Sequence, residues 1–244
     1  MKALLLAAGL GTRLRPLTES IPKCLVQIKD KPLLSYWLDL LLENGIVSVL
    51  INTHYLARKV EEFVSYSEWK NEISLVYEED LLGTGGTILK NRDYFGTEAF
   101  MVAHADNLTN FDVHQFLKKH KERPANIIMT MLTFTTDRPE TCGIVEVGTD
   151  GIVYGFYEKI KDPPSNLANG AVYIFEPEIF DILEKKNKDV IDLSTEIIPG
   201  LLGRIQTFHN TKYHRDIGTP DNLQKANKDV IDIEGFNAMT IQNR

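Results

Sequence analysis

The chain has 244 residues, of which 43% are hydrophobic and 25% are charged, a composition that excludes a disordered chain, a collagen-like repeat and a coiled coil. Its formal net charge of −7 argues against binding to nucleic acid or to anionic membranes, because proteins of those classes are normally basic. Two cysteines are too few for a disulfide framework, so we expect a protein of the reducing cytoplasm.

Strands and helices alternate along the first half of the chain. Residues 2–7 form an apolar run of the kind that is buried on both faces of a parallel sheet. After a glycine-rich loop, Pro32 opens a helix that ends before Asn44-Gly45. Further strands are predicted at 46–53, 73–77, 99–104 and 127–133, and further helices at 57–66 and 113–122. This alternation indicates βαβ units and a mostly parallel sheet.

The pattern changes after Arg138. Gly148-Thr149-Asp150-Gly151 separates two short apolar runs, 143–147 and 152–157, and predicts a β-hairpin. Strands are also predicted at 171–175 and 205–209, and helices at 178–186, 194–202 and 221–228. The predicted fold class is therefore α/β with a mixed second half. Residues 231–244 lack clear periodicity and are predicted to form a C-terminal tail.

Positive charge is concentrated near the N-terminus. Residues 1–31 contain six Lys or Arg residues and two acidic residues, although the chain as a whole is acidic. On charge alone, a small polyanion held in a pocket and a chance cluster of surface residues fit this distribution about equally well.

The loop Gly9-Leu10-Gly11-Thr12-Arg13-Leu14 follows the first predicted strand. Leu14 stands where the dinucleotide-binding fingerprint needs its third glycine, and the Gly-Lys-Ser/Thr of the P-loop is absent. What remains is a glycine turn whose backbone N–H groups can approach a phosphate, next to Arg13, Arg15 and Lys23.

The stretch from Leu6 to Thr18, followed by Pro22-Lys23 and Lys31-Pro32-Leu33, resembles the signature of the sugar-phosphate nucleotidyltransferases. Enzymes of this family join a sugar 1-phosphate to a nucleoside triphosphate and release pyrophosphate. The family's later landmarks follow in order to about residue 230. The resemblance implies a Rossmann-like nucleotidyltransferase catalytic domain over residues 1–230, with a mostly parallel, mixed central sheet, flanking helices and a small β region on the sugar side.

The resemblance also implies roles for single residues. Asp106 and Asp216 are the expected Mg²⁺ ligands, a pairing that suits a cation which takes one or two carboxylates and the phosphates of the substrate. Arg13 and Lys23 are the expected catalytic residues, Arg13 on the leaving pyrophosphate and Lys23 on the α-phosphate. The expected nucleotide-binding residues are Ala8, Gly9, Gly11 and Thr12 in the first glycine loop, and Gly83, Thr84 and Gly86 in a second glycine segment that the resemblance places against the nucleobase. The expected substrate-binding residues are Asn107, Gly143, Glu158, Lys159 and Asn169.

Some of these positions admit a simpler interpretation. Asp216 could instead cap the helix that begins near Pro220. Ala105 and Cys24 stand where the family usually has Gly and Pro; Ala105 narrows the space near the metal, and Cys24 is expected to be a packing residue. The six histidines show no metal-ligand spacing, and most are expected to be surface or packing residues.

The segment Leu82-Gly-Thr-Gly-Gly-Thr87 makes this short chain most similar to mannose- or heptose-1-phosphate guanylyltransferases, which points to GTP. The alternatives are a uridylyl-, cytidylyl- or thymidylyltransferase of another sugar 1-phosphate, and a non-catalytic regulatory subunit that binds sugar nucleotides. A glycosyltransferase would ordinarily show an Asp-x-Asp motif, whereas Asp106 is followed by Asn107 and Leu108. The expected partners are a nucleoside triphosphate and a sugar 1-phosphate, with no nucleic acid and no membrane; homo-oligomerisation is left open.

Overall fold

The structure is a computed structural model that describes residues 1–230, so the predicted tail at 231–244 lies outside the described residues. The chain divides into two compact units, each assembled from several segments. Within the described residues, unit 1 consists of Met1–Leu4, Leu81–Ala103 and His114–Thr211, and unit 2 consists of Leu5–Asp80, His104–Val113 and 212–230. A single catalytic domain over residues 1–230 stays a prediction.

The strands of the described chain are β1 (Lys2–Leu6), β2 (Gln27–Ile28), β3 (Lys31–Pro32), β4 (Ser48–Thr53), β5 (Ile73–Tyr77), β6 (Phe100–His104), β7 (Asn107–Asn110), β8 (Met129–Thr135), β9 (Gly143–Val147), β10 (Val153–Glu158), β11 (Leu167–Phe175), β12 (Ile205–His209) and β13 (Tyr213–Asp216). The α-helices are α1 (Leu33–Leu42), α2 (Ala57–Tyr66), α3 (Gly83–Lys90), α4 (Arg92–Phe95), α5 (Val113–Lys121), α6 (Ile179–Glu184) and α7 (Pro220–Asp229). No helix within residues 1–230 is long and apolar enough to cross a membrane.

Unit 1 is organised around β11, which pairs antiparallel with β6, β8 and β9. Strand β9 continues into β10 through the predicted hairpin, and β8 pairs parallel with β12. The register of β11 shifts between Asn169 and Tyr173. The Asn169 side chain spans this irregularity, because its Oδ1 accepts from Ala171 N at 2.9 Å and its Nδ2 donates to the Tyr173 hydroxyl at 2.8 Å.

In unit 2, β4 pairs parallel with β5. Helix α1 buries Trp37, whose indole N–H donates to the Asn107 carbonyl at 2.8 Å. Strands β7 and β13 form a separate two-stranded antiparallel ribbon. The predicted α/β class is confirmed, with parallel pairing at β4 and β5 and antiparallel pairing around β11.

Several predicted elements begin and end where the sequence placed them, among them α2, β5 and β12. The predicted helix at 194–202 is wrong. These residues form a π-helical turn at Leu193–Ile197 and a 3-10 turn at Ile198–Leu201. Pro199 has no N–H to donate to a helical carbonyl, so a regular α-helix cannot continue through this position without losing a hydrogen bond.

Candidate functional site

Three charged residues meet in unit 2, and we refer to them as the Lys23 cluster. Lys23 Nζ lies 2.7 Å from Asp106 Oδ2 and 3.2 Å from Asp216 Oδ1. The Lys23 side chain is 8% exposed, whereas the side chains of Asp106 and Asp216 are 40% and 43% exposed. The two carboxylates therefore share one buried ammonium and keep an open side.

The ribbon of β7 and β13 brings the two aspartates together. Asp106 directly precedes β7, and Asp216, the last residue of β13, pairs with Asn107. Ile217 N donates to the Asp106 carbonyl at 3.3 Å and extends the pairing by one step. A backbone register thus joins two residues that are far apart in sequence.

Asp216 does not cap the helix that follows it. The cap of α7 is Thr219, whose hydroxyl accepts from Asn222 N at 3.3 Å. Asp216 Oδ1 instead accepts from Gly218 N at 2.7 Å and from Lys23. The helix-cap interpretation of Asp216 is therefore wrong, and its carboxylate is held within the Lys23 cluster.

The glycine-rich loop lies in the same unit. Gly11 adopts a left-handed φ of 63°, which favours glycine, and its carbonyl accepts from the Thr18 hydroxyl at 2.7 Å. Gly9, Thr12 and Arg13 are exposed, whereas Ala8 is buried. The loop thus presents the residues that the sequence assigned to phosphate binding, apart from Ala8.

Arg13 lies beside Asp216. A Cβ atom added at Gly218 would come within 2.9 Å of both Arg13 Nη2 and Asp216 Oδ1. Gly218 also supplies the backbone N–H that binds Asp216, a role that was not predicted from the sequence. The available signal was its position two residues after Asp216, where a short Asx-type turn can form.

The electrostatics of the cluster favour a charged Asp106. Burial raises the pKa of Asp106, but Lys23, with a smaller contribution from His104, outweighs that effect and the net pKa is lowered. Burial lowers the pKa of His214 to about 4, against a smaller opposing effect of Asp106, so His214 is neutral at pH 7. Burial also raises the pKa of the Cys24 thiol to about 12, which fits the expected packing role and not a nucleophile.

The donor set fits a divalent cation such as Mg²⁺. Two carboxylates already converge on one positive charge, and both remain partly open. No group of three or more His, Cys, Asp or Glu within residues 1–230 could hold a metal ion. A cation on this pair would need further oxygens from water or substrate, which is the usual arrangement for Mg²⁺.

The predicted nucleobase segment lies in unit 1, at the start of α3. Its N–H groups at Gly85 and Gly86 donate to the Ile191 carbonyl, at 2.8 and 3.4 Å, and Thr84 Oγ1 accepts from Leu193 N at 2.8 Å. A Cβ atom at Gly86 would lie 2.1 Å from the Asp189 carbonyl oxygen. These glycines therefore allow α3 to pack closely against 189–193, and a role of Gly83, Thr84 and Gly86 at the base stays a prediction.

The predicted sugar-side residues of unit 1 include a cross-strand pair. Gly143 in β9 lies opposite Glu158 in β10, and a Cβ atom at Gly143 would lie 2.7 Å from Glu158 Oε2. Glu158 forms an ion pair with Lys159 at 2.9 Å, and the Lys159 side chain is 64% exposed. Glycine at 143 thus leaves the space that the Glu158 carboxylate occupies. Asn169, described above, shapes β11, and Asn107 of unit 2 is buried in the ribbon.

Comparison with known proteins identifies the family. Residues 2–233 match the nucleotidyl transferase family, and the chain belongs to it. It is 31% identical over 234 residues to mannose-1-phosphate guanylyltransferase of Mycobacterium tuberculosis, covering 94% of this chain and 64% of that protein. It is 30% identical over 216 residues to UTP–glucose-1-phosphate uridylyltransferase of a Synechocystis species, covering 83% of this chain and 55% of that protein. The chain therefore spans less than two thirds of the length of these relatives.

A solved structure gives a more complete overlap. HddC from Yersinia pseudotuberculosis, in its complex with GMP-PN, superposes with a TM-score of 0.79 at 25% identity, covering 93% of this chain and 98% of that one. The fold predicted from the sequence, that of a nucleotidyltransferase, is thereby confirmed.

Proposed function

We propose that this chain is a sugar-1-phosphate nucleotidyltransferase. It transfers a nucleoside monophosphate from a nucleoside triphosphate to a sugar 1-phosphate and releases pyrophosphate and a nucleotide-sugar. The observation that carries the proposal is the Lys23 cluster beside Arg13 and the glycine-rich loop. Family membership and the activities for which the relatives are named support it.

The chemistry requires alignment and charge neutralisation more than acid–base catalysis. The sugar phosphate is already a nucleophilic anion, so the barrier is the approach of two anions. Arg13 binds the leaving pyrophosphate, and Lys23 neutralises the α-phosphate. Backbone N–H groups of Gly9, Gly11 and Thr12 bind the triphosphate.

Asp106 and Asp216 would hold the divalent cation, for which we propose Mg²⁺. When bound, it supplies positive charge that offsets the negative charge of the phosphates. The aspartates' own contribution is to fix two oxygens at one point through the β7–β13 register.

The sugar and the base are assigned to unit 1. Glu158 binds sugar hydroxyls and Lys159 the sugar phosphate, and Gly143 keeps the space for Glu158. Asn169 is a further substrate-binding position of unit 1, and Gly83, Thr84 and Gly86 line the nucleotide. In unit 2, we assign Asn107 to the substrate and the buried Ala8 to the nucleotide.

We assign GTP and mannose- or heptose-1-phosphate as the substrates. The Mycobacterium relative is named for mannose 1-phosphate and guanylyl transfer, and the solved HddC is described with GMP-PN. The Synechocystis relative keeps uridylyl transfer as the second candidate. Both cysteines are free, which suits the cytoplasm that we propose as the location.

The test is a pyrophosphate-release assay over a matrix of nucleoside triphosphates and sugar 1-phosphates in Mg²⁺. We expect release only where both substrates are present, and the highest rate with GTP. Asp216→Asn is the inactive reference, and Asp221→Asn, at an exposed position of α7, is the matched control. Release that does not need the sugar phosphate would refute the proposal. Thermal stabilisation by sugar nucleotides without turnover on any pair would favour the regulatory subunit instead.

A further inference from the structure

Lys23 occupies one oxygen of each carboxylate that we assign to the divalent cation. Its ammonium lies within hydrogen-bonding distance of both Asp106 and Asp216. A second cation could not approach the same two oxygens without strong repulsion from the ammonium. Lys23 and the metal are therefore alternative partners of one aspartate pair.

We infer that Lys23 determines when the aspartate pair accepts a divalent cation: it occupies the pair in the free protein and releases it when a bound triphosphate attracts the ammonium. The inference rests on the proposed function and adds to it that the metal binds together with the triphosphate. Free metal binds weakly, and metal together with a triphosphate binds tightly.

The location of Lys23 allows this exchange without movement of the backbone. Lys23 opens the short turn Lys23–Leu25, and a Cβ atom added at Gly11 would lie 3.3 Å from Lys23 Cβ. The base of the side chain thus adjoins the loop that we assign to the phosphates. A flexible four-carbon stem can carry the ammonium from carboxylate to phosphate by rotation alone.

The charge balance explains the selectivity. With Lys23 in place, the pair presents two carboxylates and one ammonium to an incoming ion. Mg²⁺ loses its water reluctantly and prefers sites that include phosphate oxygens, so a half-neutralised carboxylate pair competes poorly for it. A bound triphosphate supplies oxygen ligands to the metal. It also gives Lys23 a new anionic partner, so that the ammonium no longer neutralises the carboxylates.

The first experiment measures metal binding to nucleotide-free protein by calorimetry, with Mn²⁺ or Mg²⁺ alone as the probe. Lys23→Met keeps the aliphatic stem and removes the charge, and it should bind the metal at least about tenfold more tightly than the wild type. Lys59→Met, at an exposed position of α2, should leave the affinity unchanged. Adding Asp216→Asn to Lys23→Met should abolish the gain.

The second experiment repeats the titration with a non-hydrolysable triphosphate. Addition of the triphosphate should raise the metal affinity of the wild type by a larger factor than that of Lys23→Met. In the wild type alone, the triphosphate also draws the Lys23 ammonium away from the two carboxylates. Lys23→Gln, which can still donate to the carboxylates, replaces Lys23→Met where the latter does not fold, and it should also bind free metal more tightly than the wild type.

Equal affinity of the wild type and both Lys23 variants for free metal would overturn the inference, as would a gain that survives Asp216→Asn. These measurements need no turnover. Failure of the pyrophosphate assay therefore refutes the proposed function alone, and failure of the metal titrations refutes only the competition.

Discussion

Each unit of the protein contains a cluster of charged side chains, and the two clusters differ in openness. In unit 1, His120 contacts Glu176 Oε1 at 2.9 Å through Nε2 and Thr130 Oγ1 at 2.7 Å through Nδ1. Arg123 contacts the same Glu176 oxygen at 2.7 Å. In unit 2, the Lys23 cluster also places several groups on one charge, but its two carboxylates are about twice as exposed as the 23% of Glu176.

This difference separates a structural cluster from a binding cluster. In the His120 cluster, the ring nitrogens and a carboxylate oxygen are used by partners within unit 1, and the His120 side chain is 3% exposed. In the Lys23 cluster, the Lys23 side chain is buried, and the two aspartate side chains are partly exposed. We therefore expect changes in the first cluster to alter stability and changes in the second to alter turnover.

The largest effect is expected from removing a metal ligand. Asp106→Asn and Asp216→Asn should each lower the rate of pyrophosphate release by more than about a hundredfold, since even residues behind metal ligands typically contribute ten- to a hundredfold. The melting temperature should change modestly, because Lys23 keeps one carboxylate partner. If either variant lost its fold instead of its turnover, the cluster would be structural and the contrast between the units would fail.

Lys23→Ala should have the second-largest effect on turnover. It removes a charge that acts mainly in the transition state, so kcat should fall about a hundredfold, or roughly 3 kcal/mol, while KM for the triphosphate changes less. Steady-state kinetics on the substrate pair with the highest rate gives both parameters. A near-normal kcat would mean that Lys23 only neutralises the two aspartates.

Two glycine-to-alanine changes sharpen the contrast in stability. In Gly86→Ala, the new Cβ would lie 2.1 Å from the Asp189 carbonyl oxygen, a backbone atom that cannot rotate away. We expect unit 1 to lose about 3 kcal/mol of unfolding free energy, at the upper end of overpacking costs. Denaturant unfolding measures this loss, and an unchanged midpoint would contradict the close packing of α3.

Gly218→Ala is the counterpart in unit 2. Its Cβ would meet the side-chain ends of Arg13 and Asp216, which can rotate away. We expect turnover to fall about tenfold through misplacement of these groups while the unfolding free energy stays within about 1 kcal/mol of the wild type. If Gly218→Ala lost as much stability as Gly86→Ala, the contrast between a binding cluster in unit 2 and close packing in unit 1 would fail.

The smallest effect concerns pH. Burial lowers the pKa of His120, against the smaller opposing effect of the hydrogen bond that its ring donates to Glu176. The unfolded chain therefore binds the His120 proton more tightly, and stability is complete above about pH 6.5 and falls as the pH decreases below it. Urea unfolding at pH 7.5 and 5.5 should show a loss on the order of 1 kcal/mol. His120→Gln should flatten this dependence, and an equally steep dependence in the variant would assign it to other groups.

The residues of the Lys23 cluster and the pairing of Asp106 with Asp216 were predicted, but the ion pairs of Lys23 with the two carboxylates were not. The motif around Gly9–Lys23 and the two aspartate segments named all three residues. Strands β7 and β13 are four residues long and mostly polar, so they show no hydrophobic periodicity from which the ribbon could be predicted. The sequence placed Lys23 on a phosphate, and only the structure shows what it binds in the free chain.

The His120 cluster could not be predicted from the sequence for a related reason. His120 lies in a run of charged residues at the end of α5, which suggests a solvated surface, yet its carboxylate partner is 56 residues away in sequence. Helix α3 was likewise not predicted from the sequence, because its first turn is rich in glycine, which is a poor helix former. Close packing against 189–193 overrides that local preference.

The ribbon of β7 and β13 also determines where the chain can tolerate extra residues. It closes a loop that contains the segment His114–Thr211, and the entropy of closing a long loop grows by only about 0.6 kcal/mol for each doubling of its length. Insertions at exposed positions of that segment, such as Thr149 and Asp150, therefore cost the aspartate pair little. One residue inserted within β13 shifts the pairing by one step and turns the side chain opposite Asn107 to the other face of the ribbon. The pair of carboxylates is thus insensitive to the length of the loop and depends on the register of four residues.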